Sequence, residues 1–316
     1  MLRRLVAAVV LLLAVTFLTH LLVEWAPGDV LSELSSDPGV SRETLASLRR
    51  KFLLDRGPLE RYMAWLGQAA RGDLGLATNG QPVARLMGER VVNTLTLSLV
   101  ALAMAWGVGV PLGVAAAIRP GSWLDRASAL VAYGALSLPT VFLALLLQYL
   151  AARTHWFPIG LAASLDHDQL PLWPRCLDSL HHLALPAFAV AAFALPTLMR
   201  QMRASMIDIL QQDYLRTARA KGMPERVVIL QHALRNALNP MVTLLGYSIG
   251  ALLNGAFLVE IVFAWPGMAR LTVDGLLRQD EFVVKGSVVM ASLMLLLGNT
   301  VADLLLVAVD PRVRVT

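Results

Sequence analysis

The chain of 316 residues is poor in charge, because 16% of its residues are Asp, Glu, Lys or Arg while 57% are hydrophobic. An ordinary soluble domain is about 25% charged and about 45–50% apolar. The shortage of charge argues against a soluble protein with an oversized core and favours a chain surrounded largely by lipid. Cysteine is nearly absent too. Cys176 is the single cysteine, so an intrachain disulfide is excluded. The cysteine content therefore does not indicate whether the protein lies in an oxidising or a reducing compartment.

Motifs for nucleotide and metal chemistry are also missing. The sequence has no G-x-x-x-x-G-K-[ST], so we do not expect it to bind the phosphates of ATP. It has no H-E-x-x-H, and no nucleophile with a neighbouring base is recognised, so we do not expect an enzyme. Gly107, Gly109 and Gly113 superficially resemble a nucleotide loop, but they lie inside an apolar run, which favours close helix packing.

Six apolar runs have the composition of membrane spans, for which about 20 mostly apolar residues are needed. They cover residues 5–25, 92–118, 127–152, 183–199, 241–263 and 286–309. The first run follows Arg3-Arg4 like a signal peptide. It is long, however, and Val23–Ala26 has no A-x-A-like cleavage site, so an uncleaved first helix is predicted. The fold class expected is an all-α polytopic membrane protein with six helices.

The predicted organisation has three parts: a first transmembrane helix (1–27), an extramembrane lobe (28–90) and a five-helix core (91–316). Six spans place both termini on one side of the membrane. Lys and Arg are concentrated on that side, above all in residues 200–239, so the positive-inside rule predicts cytoplasmic termini. The lobe would then face outward, because loops of its length translocate largely regardless of charge.

The most informative stretch lies between the fourth and fifth runs. Tyr214–Lys221 has good helix formers, and Gly222 is suited to the left-handed residue that ends a helix. Pro224 suits the first turn of a second helix. Two interpretations remain open from spacing alone: a rigid handle that docks in a groove of a partner, or a solvated basic loop.

The run Asp213–Gly222 (DYLRTARAKG), followed by His232–Ala237 (HALRNA), resembles the coupling motif of ABC importer permeases of the oligopeptide, dipeptide and nickel class. Arg216-Thr217-Ala218 stands where the general motif has Glu-Ala-Ala, and the later Ile-x-Leu-Pro is absent, with Pro240 nearby. Both departures are usual for this class. Five further motifs of the class occur in order: Ala26-Pro27-Gly28-Asp29, Gly72-Asp73-Leu74-Gly75, Gly121–Asp125, Glu260–Gly267 and Asp310–Arg314.

The resemblance implies the type I ABC importer transmembrane fold in a bacterial inner membrane. It implies a heterodimer with a homologous permease, two cytoplasmic ABC ATPases that bind ATP and Mg²⁺, and an extracytoplasmic solute-binding protein. This chain would hold no cofactor or metal and would contact lipid but no nucleic acid. The residues expected to contact the ATPase are Asp213, Tyr214, Arg216, Thr217, Ala218, Arg219, Ala220, Lys221 and Gly222.

Cargo is open at this point. The class favours short peptides, with nickel or a metal-chelator complex as the alternative and a short sugar third. A histidine group (His155, His167, His181 and His182) keeps metal under consideration, although an ordinary surface loop is favoured. Lys285 and Glu260 are candidates for the cargo path. A secondary transporter is a further alternative, but it would leave the handle unexplained and would often show inverted repeats, which are not recognised here.

Overall fold

The computed structural model describes residues 2–25 and 55–309, together with residues 41, 43 and 47. Over these residues the chain consists of helices and connecting loops, with one isolated β-bridge between Leu76 and Pro82. The predicted all-helical class is therefore confirmed for the described part of the chain.

In chain order the α-helices are α1 (Leu2–Trp25), α2 (Pro58–Ala69), α3 (Val83–Ile118), α4 (Trp123–Ser137), α5 (Thr140–Thr154), α6 (Leu172–Leu210), α7 (Asp213–Ala220), α8 (Glu225–Val227), α9 (Leu234–Ala237), α10 (Asn239–Val262), α11 (Met268–Leu277) and α12 (Glu281–Val309). A 3₁₀ turn at His167–Gln169 precedes α6, and a π-helical turn at Val228–Ala233 joins α8 to α9.

The chain divides into two compact units. The first unit comprises Met1–Asn93 and Pro266–Leu296, and the second comprises Thr94–Trp265 and Leu297–Thr316. The predicted division into a first helix, a lobe and a five-helix core is a statement about membrane topology, and it stays a prediction.

Within the described residues, three helices are long and apolar enough to cross a membrane: α3, α6 and the Glu281–Val301 part of α12. The pair α4 and α5 brings the number to four if the pair forms one broken span. In α1, the apolar part Val9–Trp25 is shorter. The exact count of six spans therefore stays a prediction.

The predicted third span, 127–152, is not one continuous helix. Helices α4 and α5 meet at a break where the axis bends by 102°. Leu138 has an extended backbone, with φ −97° and ψ 126°, and Pro139 follows it. Proline disfavours a helical conformation of the preceding residue and supplies no N–H, which explains the break.

In the second unit, α3 packs closely on α6 through two glycines. A Cβ atom on Gly113 would lie 2.6 Å from the Met199 carbonyl oxygen, and one on Gly109 would lie 3.3 Å from Leu198 Cβ. Such close approach between apolar helices is typical of small residues in membrane proteins. The expectation of close helix packing, made above for three glycines, holds for Gly109 and Gly113. It does not hold for Gly107, where a Cβ atom would have no atom within 4 Å.

In the first unit, α2 begins at Pro58, and proline suits the first helical turn because its missing N–H would be unpaired there. Its Tyr62 lies between Phe17 of α1 and Trp65, with ring centroids 5.1 Å and 6.0 Å away. The Tyr62 hydroxyl also hydrogen-bonds to Thr16 Oγ1 at 2.9 Å. These contacts fix α2 on α1.

Candidate functional site

The α7 segment (residues 213–222) ends in the conformation expected from its glycine. Gly222 has a φ of 75°, in the left-handed region. Its N–H donates to the Arg219 carbonyl at 2.9 Å, and the Met223 N–H donates to the Ala218 carbonyl at 3.3 Å. This pair of bonds is the Schellman stop of a helix, which glycine tolerates without steric cost. Helix α7 therefore ends sharply, and the chain reverses towards Pro224.

One apolar side chain anchors the α7 segment. Leu215 is 0% exposed and packs in the core of the second unit. The residues predicted to contact an ATPase lie on the other sides of the helix, since Ala218 is half-buried and the rest of that set are exposed. Leu215 was not in the predicted set. The sequence does contain an indication of this role: among residues 213–222, Leu215 has the one aliphatic side chain larger than that of alanine.

Two polar contacts tie α7 to the residues that follow it. Asn236 Nδ2 of α9 donates to the Tyr214 hydroxyl at 3.0 Å. The Arg219 guanidinium donates twice to the Glu225 carboxylate, at 3.1 Å and 2.9 Å. The hydrogen bond from Arg219 holds the pKa of Glu225 below its ordinary value, and the same pair raises the pKa of Arg219. The segment is thus held at both ends while its outer face stays open.

A second ion pair of this unit involves the Gly121–Asp125 motif. Arg203 of α6 donates from Nε to Asp125 Oδ1 at 2.6 Å and from Nη2 to Asp125 Oδ2 at 2.9 Å. Asp125 Oδ2 also accepts the N–H of Gly121 at 2.8 Å. Arg203 therefore fixes the turn between α3 and α4 on α6, a pairing that the sequence motif alone did not predict.

The two candidates for the cargo path are buried, each in a different unit. Glu260 is 0% exposed and accepts a hydrogen bond from the Thr94 hydroxyl at 2.5 Å. Lys285 is also 0% exposed, and its Nζ donates to Glu281 Oε1 at 2.6 Å. The rings of Trp65 and Phe282 lie 5.0 Å and 5.1 Å from the same Nζ. Cargo contact by either residue stays a prediction.

The histidine group makes local hydrogen bonds. His167 Nδ1 lies 2.7 Å from Asp178 Oδ2, and His182 Nδ1 lies 2.9 Å from the Asp178 carbonyl oxygen. His181 Nε2 donates to the Trp156 carbonyl at 2.7 Å. His155 is exposed and caps α5 with a φ of 56°. Among the described residues, these histidines do not form a group with donor atoms close enough to share a metal ion.

One hydrolase-like pattern also occurs in the sequence. Gly246-Tyr247-Ser248-Ile249-Gly250 fits G-x-S-x-G, which in hydrolases places a serine on a sharp turn between a strand and a helix. Here the five residues lie within α10. The backbone therefore has no nucleophile turn at this place, and the pattern gives no support for an enzyme.

Comparison with known proteins identifies the family. Residues 109–315, which include the whole α7 segment, match the family model of the binding-protein-dependent transport system inner membrane component. The chain belongs to this family. The resemblance drawn from the coupling motif is thereby confirmed, and the apolar helices agree with a membrane protein.

Curated relatives of this family match the chain over nearly its full length. The oligopeptide transport system permease protein AppB of Bacillus subtilis is 36% identical over 315 residues, covering 99% of this chain and 98% of AppB. The dipeptide transport system permease protein DppB of Escherichia coli K12 is 35% identical over 333 residues, with 99% and 98% covered. The oligopeptide permease OppB of Mycobacterium tuberculosis is 36% identical over 320 residues, also with 99% and 98% covered.

The family motifs are distributed over the chain, and the structure describes most of them. In Gly72-Asp73-Leu74-Gly75 both glycines have positive φ, 85° and 94°, and Asp73 Oδ1 accepts the N–H of Gly75 at 3.0 Å. In Glu260–Gly267 the Trp265 N–H donates to the Glu260 carbonyl at 2.8 Å. The motifs Ala26–Asp29 and Asp310–Arg314 lie outside the described residues.

Proposed function

We propose that this chain is a permease subunit of an ATP-driven ABC importer and forms half of the path by which short peptides cross the inner membrane. The observation that carries the proposal is the α7 segment. It is a short helix, held by Leu215 and by contacts at both ends, whose remaining surface is open to a partner. The membership of the chain in a binding-protein-dependent transport family supports that use of the segment.

The α7 segment acts as a mechanical handle. Its exposed face enters a groove of a cytoplasmic ATPase subunit, with Arg219 and Lys221 adding positive charge at the contact. When the ATPases close on ATP, they displace the handle. Because Leu215, Tyr214 and Arg219 tie it to the surrounding helices, the displacement reaches the permease instead of being absorbed by a loose loop.

ATP and Mg²⁺ belong to the partners in this proposal. The sequence has no phosphate-binding loop of its own, so hydrolysis takes place in two ABC ATPase subunits. An extracytoplasmic binding protein delivers the cargo, and a homologous permease forms the other half of the path. Cargo crosses between the two permeases by alternating access.

The topology proposed for this role is the six-span type I importer fold with both termini in the cytoplasm. The α7 segment and the Lys- and Arg-rich residues 200–239 then lie on the cytoplasmic side, where the ATPases are, as the positive-inside rule requires. Residues 28–90 face outward. A membrane-impermeant thiol reagent tests this orientation: it should label Ser36→Cys in intact cells and leave Arg216→Cys unlabelled, in a Cys176→Ser background.

Peptide is proposed as the cargo because AppB, DppB and OppB are named as oligopeptide and dipeptide permeases. Nickel stays the second candidate. His167 and His182 both lie against the Asp178 carboxylate, with Nδ1–Oδ distances of 2.7 Å and 3.3 Å, but among the described residues these three do not bring their donor atoms close enough together to share a metal ion.

The test is uptake into proteoliposomes that hold the complete complex, with labelled dipeptide, labelled tetrapeptide or Ni²⁺ loaded on the binding protein. We expect vanadate-sensitive uptake of peptide. Uptake that persists without ATPase subunits would indicate a secondary transporter, and ATP-dependent uptake of Ni²⁺ alone would move metal to first place.

A further inference from the structure

Four charged side chains of the first unit form a cluster that we call the ion cluster: Glu24 of α1, Arg61 of α2, and Glu281 and Lys285 of α12. Arg61 Nη1 donates to Glu24 Oε2 at 2.6 Å, and Arg61 Nη2 donates to Glu281 Oε2. Lys285 Nζ donates to the other oxygen of Glu281. Arg61 is 8% exposed and Lys285 is 0% exposed, so both cations are buried, while the Glu281 and Glu24 side chains are 12% and 25% exposed.

Arg61 is the member that joins three helices. Its two terminal nitrogens hold carboxylates that come from α1 and from α12, while its own backbone is in α2. A guanidinium can do this because its donors are arranged in a fixed planar fork, whereas a lysine ammonium is a single point of charge. The two carboxylate partners of Arg61 are 37 and 220 residues away in the sequence, so the bridge is a tertiary feature.

The residues after α2 hold the start of α12 as well. The Thr78 N–H donates to Asp280 Oδ2 at 2.6 Å, and Asp280 Oδ1 accepts the Val283 N–H at 3.1 Å in the first turn of α12. Gly75 lies against the Phe282 ring, where a Cβ atom would come within 2.6 Å of Cδ1. Residues 58–82, which we call the α2 segment, are therefore joined to α12 at several points.

The cluster is an ion-pair bridge and not a metal site. One donor atom each of His20, Glu24 and Glu281 lies within 4.8 Å of the others, a spacing that would fit a metal ion. Both carboxylates, however, already pair with Arg61 or Lys285, and the four charges sum to zero. A divalent cation would add two uncompensated positive charges in a buried place, which is strongly unfavourable.

We infer that Arg61 is a positioning residue of the importer: it fixes the α2 segment to α12, so that docking of the loaded binding protein is transmitted to the last span. The inference rests on the proposed function, in which residues 28–90 face outward, on the side of the membrane where the extracytoplasmic binding protein delivers the cargo. A loosely attached segment could bind a partner without passing on its movement. The bridge through Arg61 makes the α2 segment and the start of α12 respond as one body.

The test uses the complete reconstituted complex with Arg61→Lys. Lysine keeps the charge balance of the cluster but cannot reach both carboxylates with the same geometry. ATP hydrolysis is measured as a function of the concentration of peptide-loaded binding protein. We expect maximal stimulation to fall roughly tenfold, within the usual range of coupling between sites. The basal rate and the half-maximal concentration of binding protein should stay at wild-type values.

Arg56→Lys is the matched control. Arg56, two residues before the same segment, pairs with Glu60 at 2.8 Å, but both side chains are more than half exposed. This variant should be stimulated like wild type. Arg61→Gln, which leaves the cluster with a net negative charge, should lose stimulation at least as completely as Arg61→Lys.

Wild-type stimulation in Arg61→Lys would overturn the inference. So would failure of that variant to assemble, because Arg61 would then be needed for folding and not for transmission. A raised half-maximal concentration with unchanged maximal rate would also overturn it, since Arg61 would then serve docking alone. Absence of stimulation in the wild-type complex itself would contradict the proposed function instead.

Discussion

Helices α2 and α7 end in the same way. Gly72 has a φ of 85° and donates to the Ala69 carbonyl at 2.9 Å, as Gly222, with a φ of 75°, does to Arg219. The next N–H reaches back five residues in both, from Asp73 to Gln68 at 3.1 Å and from Met223 to Ala218 at 3.3 Å. The two helices therefore end with the same hydrogen-bond pattern and the same left-handed glycine.

The two helices differ in what they bury. Helix α2 buries Arg61, Tyr62 and Trp65, and the charged residue among these three, Arg61, is part of the ion cluster. Helix α7 buries Leu215, and its Arg219–Glu225 pair lies at the surface, with 37% and 56% of the side chains exposed. The comparison separates a helix that is built into its own unit from one whose surface is left for a partner.

The largest effect is expected from removing a shared carboxylate of the ion cluster. Glu281→Gln would leave Arg61 and Lys285 with Glu24 as the remaining anion. Removing one partner of a buried pair costs about 3–5 kcal/mol. Thermal unfolding of the detergent-solubilised complex measures the loss. Glu60→Gln, in an exposed pair, should cost less than about 1 kcal/mol. Equal decreases in the unfolding temperature of the two variants would contradict the claim that the ion cluster holds α2 in its unit.

A smaller effect is expected from the anchor of α7. Leu215→Ala removes a fully buried leucine, which costs about 2–5 kcal/mol in a well-packed core. The loss should be local, so amides of residues 213–222 should exchange with deuterium faster while membrane insertion is unchanged. Peptide uptake should fall.

Leu230→Ala is the control for that anchor, because Leu230 is 58% exposed in the π-helical turn nearby. Its exchange rates and uptake should match wild type. Unchanged exchange in Leu215→Ala would mean that the polar contacts alone hold α7.

The smallest effect concerns the exposed pair. The Glu225 pKa is lowered by the Arg219 hydrogen bond, so this pair stabilises α7 above the ordinary Glu pKa and stops doing so as pH falls through the lowered value. For an exposed pair the contribution is below about 1 kcal/mol. Deuterium exchange of α7 should therefore be slightly slower in wild type than in Glu225→Gln at pH 7. The difference should vanish in acid and shrink in high salt; a difference that persisted in acid would contradict the pairing.

Several features could be predicted from the sequence because they depend on neighbouring residues. Gly222 was expected to be left-handed, since glycine follows a run of helix formers. The apolar runs indicated the helical class, and motif order indicated the family. The break at Pro139 also had a local signal, the Ser137-Leu138-Pro139 sequence, but the apolar composition on both sides favoured one continuous span.

The ion cluster could not be predicted in this way. Glu24, Arg61 and Glu281 are far apart in the sequence, and nothing in their immediate neighbours indicates that they meet. Lys285 is a candidate for the cargo path because it departs from the neutral amide that is more usual near that place in the permeases that the sequence resembles. Its burial between Trp65 and Glu281 depends on the packing of α2 against α12. Long-range pairing of charges is decided by tertiary structure.

The two glycines provide the most direct test of the coupling role. A Cβ atom on Gly72 or on Gly222 would meet no atom within 4 Å, so Gly72→Val and Gly222→Val introduce the same strain, from positive φ alone. That strain is about 1–2 kcal/mol. The measurement is ATP hydrolysis, with and without peptide-loaded binding protein, in reconstituted complexes of each variant.

We predict that Gly222→Val inserts and assembles and hydrolyses ATP at the basal rate, but loses stimulation and peptide uptake, because α7 no longer points correctly into the ATPase. Gly72→Val should lose less of both, because the Arg61 bridge lies before the altered turn and still joins α2 to α12. Wild-type stimulation and uptake in Gly222→Val, or equal losses in the two variants, would contradict the account of α7 as the mechanical link.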